Sequence, residues 1–367
     1  MIKSIGLPKW GLLSVVIAAC HGFAIPAKAQ MTFTVFVDPH PTVSGGTIGF
    51  AFAGNKFVGS SQGNGAGILY FTDLAGGNKQ LFAPQVIIPG GNPFSEHSLA
   101  SSLGLGGFPQ RDVYVGAGDG VLHISNDGSR SDMLVSELGL PVQALLFDPI
   151  GTFGHELIAS TTGGQIFRIN RSGVATLLAT VGQNVEGLDV VPIGAGFGPF
   201  DGYLITTSEG DGLLRAISST GTVTILNQGN PIPDAESVHF VPLDLGASGS
   251  PMEGLYAANF PTNILKASAS QFSSLKGDAI VRTEQLDQRI SRVHWDGRDF
   301  VITVIGYAPA QGEDAFFLTP AMINPDSSTC PPPSDDDDHD RGRNRSHHSL
   351  PRTRISTRPT PEADREH

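Results

Sequence analysis

Cysteine is nearly missing from this chain. Only Cys20 and Cys330 occur among 367 residues, one near each end. No disulfide framework can therefore hold the body between them, and a body of that length buries a large core without one. Charge is sparse as well: Asp, Glu, Lys and Arg make up 16% of the chain. Basic residues are the scarcer kind, 23 against 35 acids, for a net charge of -12. The first 29 residues take three of the basic residues and the last 42 take seven, together with nine acids, which leaves 13 basic against 26 acidic in residues 30–325. Such a body argues against nucleic acid as a partner and against adsorption to anionic lipid. It suits cations, neutral glycans or basic surfaces. Long helical periodicities are absent, and past the leader no run approaches the ~20 apolar residues of a membrane span.

What is abundant is glycine (46) and proline (26). Short apolar runs end at Gly, Asn, Asp, Ser or Pro, which is the pattern of strands and turns. Residues 1–29 read as a signal peptide. Lys3 and Lys9 precede the apolar stretch Trp10 to Ala19, and Ala27-Lys28-Ala29 is a small-x-small cleavage site. Ile17-Ala18-Ala19-Cys20 overlaps it and matches a bacterial lipobox, with Cys20 as the alternative lipid anchor. Both imply export, to the periplasm or beyond the cell, with an outer-membrane lipoprotein as the second choice. Residues 326–367, with Cys330-Pro331-Pro332-Pro333 and the Asp335–Asp338 run, lack core-forming residues and are expected to be a disordered tail.

The middle repeats itself. A motif of small or apolar, polar, small, apolar, any, apolar recurs. Its copies are Thr47-Ile48-Gly49-Phe50-Ala51-Phe52, Ser95-Glu96-His97-Ser98-Leu99-Ala100 (the poorest), Val142-Gln143-Ala144-Leu145-Leu146-Phe147, Val185-Glu186-Gly187-Leu188-Asp189-Val190, Ala235-Glu236-Ser237-Val238-His239-Phe240 and Ile290-Ser291-Arg292-Val293-His294-Trp295. Spacings of 48, 47, 43, 50 and 55 residues suit four-stranded propeller blades. Each copy is followed by a second strand, a small-residue loop and a third strand. A glycine turn then usually follows, as at Asn126-Asp127-Gly128 or Arg171-Ser172-Gly173. The expectation is an all-β, six-bladed propeller over residues 30–325 with four-stranded antiparallel blades. The sixth blade, begun by Ile290–Trp295, lacks a fourth strand. Thr32–Val37 has no blade of its own and is expected to supply it, closing the ring and covering an exposed edge. A β-sandwich, or two smaller β domains, fits the regular spacing less well.

The run from Val185 to Pro192, continued by Gly198-Pro199-Phe200-Asp201-Gly202-Tyr203-Leu204-Ile205, resembles the secreted six-bladed propellers of the NHL, TolB-like and SMP-30/gluconolactonase group. The resemblance covers about residues 32–320. It implies a fold that serves binding platforms, lactonases and lyases alike.

In such a fold the second motif positions ring one channel mouth: Ile48, Glu96, Gln143, Glu186, Glu236 and Ser291. Glu96, Glu186 and Glu236 are the candidate metal ligands, with Ca²⁺ as the ion that suits convergent carboxylates. Loops between second and third strands add Asp119, Glu209, Asp211, Asn259 and Tyr307 as candidate ligand-binding residues. The competing reading is solvated carboxylates or ones bonded to backbone N–H groups. Asp189, His239 and His294 read as inter-blade contacts, and Arg168, Arg215 and Lys266 as exposed charges. The SMP-30-type enzymes place a metal-binding Glu at the opening of their first blade, where this chain has Thr47-Ile48-Gly49-Phe50 and no acid. HExxH, G-x-S-x-G, Walker A and Cys/His metal spacings are also missing. Two functions follow as expectations. One is a monomeric binding module that takes a small molecule, glycan or protein at its loop face and channel mouth. The alternative is a Ca²⁺-dependent lactonase-like hydrolase or lyase at that mouth.

Overall fold

The computed structural model describes residues 31–284 and 287–325; the expected signal peptide, Cys20, Cys330 and the 326–367 tail lie outside them. Six four-stranded antiparallel sheets make up the body. Blades 1 to 4 each use four strands that follow one another in sequence. Their inner strands are Thr47–Phe52, Leu99–Ser101, Val142–Phe147 and Gly187–Val190. Six apolar clusters fill the spaces between neighbouring blades, so the inner and second strands are buried on both faces while the outer strands stay largely exposed. Burial on both faces explains why the apolar runs are continuous rather than alternating.

Blades 5 and 6 are not consecutive. Blade 5 is Ala235–Phe240, Ala279–Thr283, Arg289–Trp295 and Phe300–Tyr307. The hairpin Gly254–Phe260/Asn263–Ser268, which lies between its first two strands in sequence, belongs to blade 6. The inner strand of blade 6 is Gln311–Leu318, paired with Gly254–Phe260. This corrects the expected sixth motif copy. Ile290–Trp295 lies in the third strand of blade 5, and Ser291, nearly fully buried, sits between Val281 and Val304 rather than in the mouth ring.

Closure is by the N-terminal strand, as expected. Thr34–Val37 pairs with Asn263–Ser268 as the outer strand of blade 6. Met31 and Thr32 extend the joint: Thr32 N donates to Gln271 Oε1 at 2.8 Å, and Gln271 Nε2 returns a bond to Thr32 O at 2.8 Å. A repeated turn shows that this joint is built like the others. Gly173, at φ 77°, stands so close to the outer strand of the preceding blade that a Cβ would lie 1.9 Å from Leu134 O. Gly221 meets Leu178 O in the same way at 2.2 Å. Gly76, in the corresponding turn of blade 1, meets Phe36 O of the N-terminal strand at 2.3 Å. Only glycine combines that φ with that approach. Behind the joint, Phe36, Phe50, Phe57, Tyr256 and Phe316 form an aromatic cluster; Phe50 and Phe57 stack at 5.3 Å, and Tyr256 and Phe316 at 5.6 Å.

Among the described residues no helix is long and apolar enough to cross a membrane.

Candidate functional site

The inner strands are tied to one another near their starts. Ser60 Oγ accepts from Gly49 N at 2.8 Å and donates to His97 O, in the next blade, at 2.6 Å. Ser160 Oγ accepts from Ala144 N at 3.0 Å and donates to Val185 O at 2.7 Å. Thr207 Oγ1 donates to Glu236 O at 3.2 Å. Each tie ends on, or next to, a residue that carries a mouth carboxyl: Glu96, Glu186 or Glu236. A neutral hydroxyl between two blades therefore sets where each glutamate backbone begins.

Two blades bring their acids together. Glu186 and Glu236 start the inner strands of blades 4 and 5, and Glu209 lies on the loop between strands two and three of blade 4. Each offers a carboxylate oxygen, and the three oxygens lie within 4.8 Å of one another. Asn184 Nδ2 donates to Glu186 Oε1 in a short contact. Glu236 is 6% exposed, and its Oε2 has no hydrogen-bond partner within the protein. Asn184 Oδ1 is likewise buried and unpartnered. Blade 6 contributes Glu313, 3% exposed, which the sequence pattern missed because Asp314–Phe317 reads as a third strand. Gln311 Nε2 donates to Glu313 Oε1 at 2.9 Å and, in a short contact, to Glu284 Oε1.

One buried cation, Arg282, acts on Glu313 and Glu236 through its charge but forms no ion pair with either. Among the described residues, Glu96, Glu186, Glu209, Glu236 and Glu313 take part in none of the ion pairs. The buried Arg282 donates instead to the carbonyls of Glu313, at 3.0 Å, and Ala258, at 2.9 Å. Burial, then the charges of Glu186 and Glu284, push the Glu96 carboxyl up to about 7. Burial, a hydrogen bond with Glu284 and the Glu186 charge push Glu209 up to about 10. Glu236 and Glu313 are also pushed well above the usual carboxylate range, first by burial and then by neighbouring glutamates. Like charges in a dry site hold protons unless a cation replaces them.

The remaining candidates separate. Glu96 and Gln143 line the channel with Glu186, Glu236 and Glu313. Asp211 is spent on Arg215, in a short ion pair reinforced by Ser208 Oγ at 3.0 Å. Arg215 is thus buried, contrary to the expectation of an exposed charge. Asn259 is buried: its Nδ2 donates to Asn263 Oδ1 at 3.1 Å, and its Oδ1 accepts from Ala310 N at 3.0 Å. Asp119 is an exposed turn residue. Tyr307, 51% exposed, ends the outer strand of blade 5 and not a blade-6 loop. His97 joins blades, with its ring nitrogens 2.7 Å from Gly116 O and 2.9 Å from Gly63 O. Asp189 is an inter-blade contact as expected, accepting from Phe240 N at 2.6 Å. His294 pairs within blade 5, 2.6 Å from Asp278.

The ring residues share with the inner strands one chamber of about 560 Å³, whose walls are mainly aliphatic and aromatic.

No protein-family model matches this chain, and no curated protein matches its sequence. Solved structures do resemble it. A calcium-binding protein, regucalcin, from Agrobacterium tumefaciens strain C58 is 12% identical at a TM-score of 0.48, covering 80% of this chain and 83% of that one. A putative gluconolactonase is 12% identical at 0.45, covering 77% and 83%. A streptogramin B lyase is 12% identical at 0.44, covering 77% and 76%. These likenesses are ones of fold, and the six blades themselves rest on the strand pairing above.

Proposed function

We propose that the protein is an exported binding module that holds a divalent cation of the calcium class at its channel mouth, with Glu186, Glu209 and Glu236 as ligands. One observation carries the reading: three carboxylate oxygens stand within 4.8 Å of one another, and one of the three residues, Glu236, keeps a buried oxygen unpartnered. Two oxygens each about 2.4 Å from one Ca²⁺ are separated by at most about 4.8 Å, and an all-oxygen donor set is what that ion takes. Asn184 Oδ1 stands beside the set as a further acceptor. Binding displaces the protons that the empty cluster retains, so affinity rises with pH.

Isothermal titration of Ca²⁺ into metal-free protein tests this. Saturable binding is expected, with proton release and higher affinity at pH 8 than at pH 6. Glu209→Gln is expected to weaken binding at least tenfold, and Asp119→Asn to leave it unchanged. Absence of binding at millimolar Ca²⁺, with no change of melting temperature on adding EDTA, overturns the reading.

A second reading is a Ca²⁺-dependent hydrolase. It is favoured by Glu96, which is not one of the three ligands and which burial and the charges of Glu186 and Glu284 push up to about 7, so that near neutral pH it can donate or accept a proton. Lactone hydrolysis that needs Ca²⁺ and is lost in Glu96→Gln supports it. Turnover retained in that variant removes it.

A further inference from the structure

The divalent ion accounts for three carboxyls of the ring. Glu96 and Glu313 remain, and both line the chamber. Glu313 is almost wholly enclosed, and the charge it feels most strongly is that of Glu96. Neither lysine nor arginine lines the chamber anywhere. The nearest cation, the buried Arg282, lies behind Glu313 and donates to its backbone carbonyl, and the carboxyls around the chamber outnumber it, so a positively charged ligand is favoured over an anion.

The opposite end of the chamber is chemically different. The inner strands of blades 3, 4 and 5 run from Gln143, Glu186 and Glu236 to Pro149, Pro192 and Pro242, six positions on each time. At about 3.3 Å per residue this is about 20 Å. Each proline is followed by a large aliphatic residue: Ile150, Ile193 and Leu243. Ile193 is 62% exposed and Leu243 41% exposed, although both line the chamber. Exposed aliphatic residues on a rim are placed to meet an apolar ligand. Part-way along, the wall contains polar atoms without partners inside the protein. Ser98 Oγ, Ser237 Oγ and His239 Nε2 are such atoms, each enclosed within the wall with less than 1 Å² of accessible surface. A volume of about 560 Å³ lies within the range of small-molecule pockets, which combine apolar walls with a few polar groups.

We infer that the channel is a binding chamber for an amphipathic organic monocation. Its ammonium group sits at Glu96 and Glu313, and its compact apolar body lies along the chamber toward the proline rim. This goes beyond the divalent-cation reading and uses different carboxyls, so either can fail alone.

Dansylcadaverine is a suitable probe: a primary amine carrying an aromatic body with a sulfonamide N–H. It is titrated into the full chain with and without Ca²⁺ while dansyl emission is followed. Saturable, blue-shifted emission is expected, and the N-acetylated probe, which lacks the charge, should bind at least tenfold more weakly. Glu313→Gln should weaken the amine at least tenfold and leave a Ca²⁺ site at Glu186, Glu209 and Glu236 in place. Glu209→Gln should do the reverse. Should Glu313→Gln fail to fold by circular dichroism, Glu96→Gln, at a less buried position, carries the same expectation. Absence of a saturable blue shift overturns the proposal, as does equal binding of the acetylated probe. Loss of amine binding in Glu209→Gln but not in Glu313→Gln overturns the assigned seat.

Discussion

Glu209 shows how one residue couples charge to stability at the channel mouth. Its carboxyl ionises near 4.5 in an open chain but is pushed up to about 10 by burial, Glu284 and Glu186. The folded protein therefore binds more protons than the unfolded one between those values. Under proton linkage, stability falls as pH rises through that window. Glu96 acts in the same direction between 4.5 and about 7. Metal-free protein is expected to lose several degrees of melting temperature between pH 5 and pH 8, and Glu209→Gln to flatten part of that slope. Saturating Ca²⁺ should flatten it too, by exchanging protons for the ion. Thermal scans across that range check all three; a slope unchanged in Glu209→Gln contradicts the assignment. Four ring residues, Glu96, Gln143, Glu186 and Glu236, were legible in the repeat. Glu313 was not, although Gly312-Glu313-Asp314-Ala315-Phe316-Phe317 carries a near-copy of the motif. Ser291 was read in its place because a third strand buried on both faces shows the same apolar run as an inner strand.

At the scale of the element, a hydroxyl at the end of the second strand recurs as Ser60, Ser160 and Thr207, joining inner strands of adjacent blades. Removing one leaves a buried carbonyl, and in two cases an N–H, without its partner. Ser160→Ala is expected to cost about 1–3 kcal/mol and to weaken Ca²⁺ binding, because Val185 O precedes Glu186. Chemical denaturation and calorimetric titration read the two effects separately. Affinity that survives the stability loss intact would show that the tie does not position the ligand. The aromatic cluster at the closing joint is a second test. Phe57 is fully buried between four other rings and Phe52. Phe57→Ala should cost about 3–5 kcal/mol, the usual range for a large aromatic side chain removed from a core.

On the scale of the whole molecule, the ring closes twice over. The N-terminal strand completes blade 6 at its outer edge, and the hairpin Gly254–Ser268 crosses from the middle of blade 5 into the same sheet. Blade 6 is thus assembled from three separated stretches, while the four strands of blade 4 span only Gly187 to Ile225. Deleting residues 31–37 should strip the partner from Asn263–Ser268 and leave its edge open to pairing with other chains. Hydrogen exchange in the truncated protein should quicken at Asn263–Ser268 and stay slow at Ala279–Thr283, which is paired on both sides within blade 5. Equal loss of protection in both segments would favour the consecutive order of strands instead.

Composition, turn chemistry and motif spacing were sufficient for the class of fold, the number of blades, the closing N-terminal strand and most of the acidic mouth. These are properties of local pattern: a strand buried on both faces, a glycine turn and a polar residue at the start of an inner strand each leave a mark in consecutive residues. Which strands share a sheet in blades 5 and 6 left no such mark. Pairing there depends on contacts between residues far apart in the chain, and several runs of equal apolar character compete for each place. The same holds for the site. That glutamates face one mouth followed from the repeat; that Glu186, Glu209 and Glu236 converge while Asp211 is neutralised by Arg215 was decided only by the packing of one blade against the next.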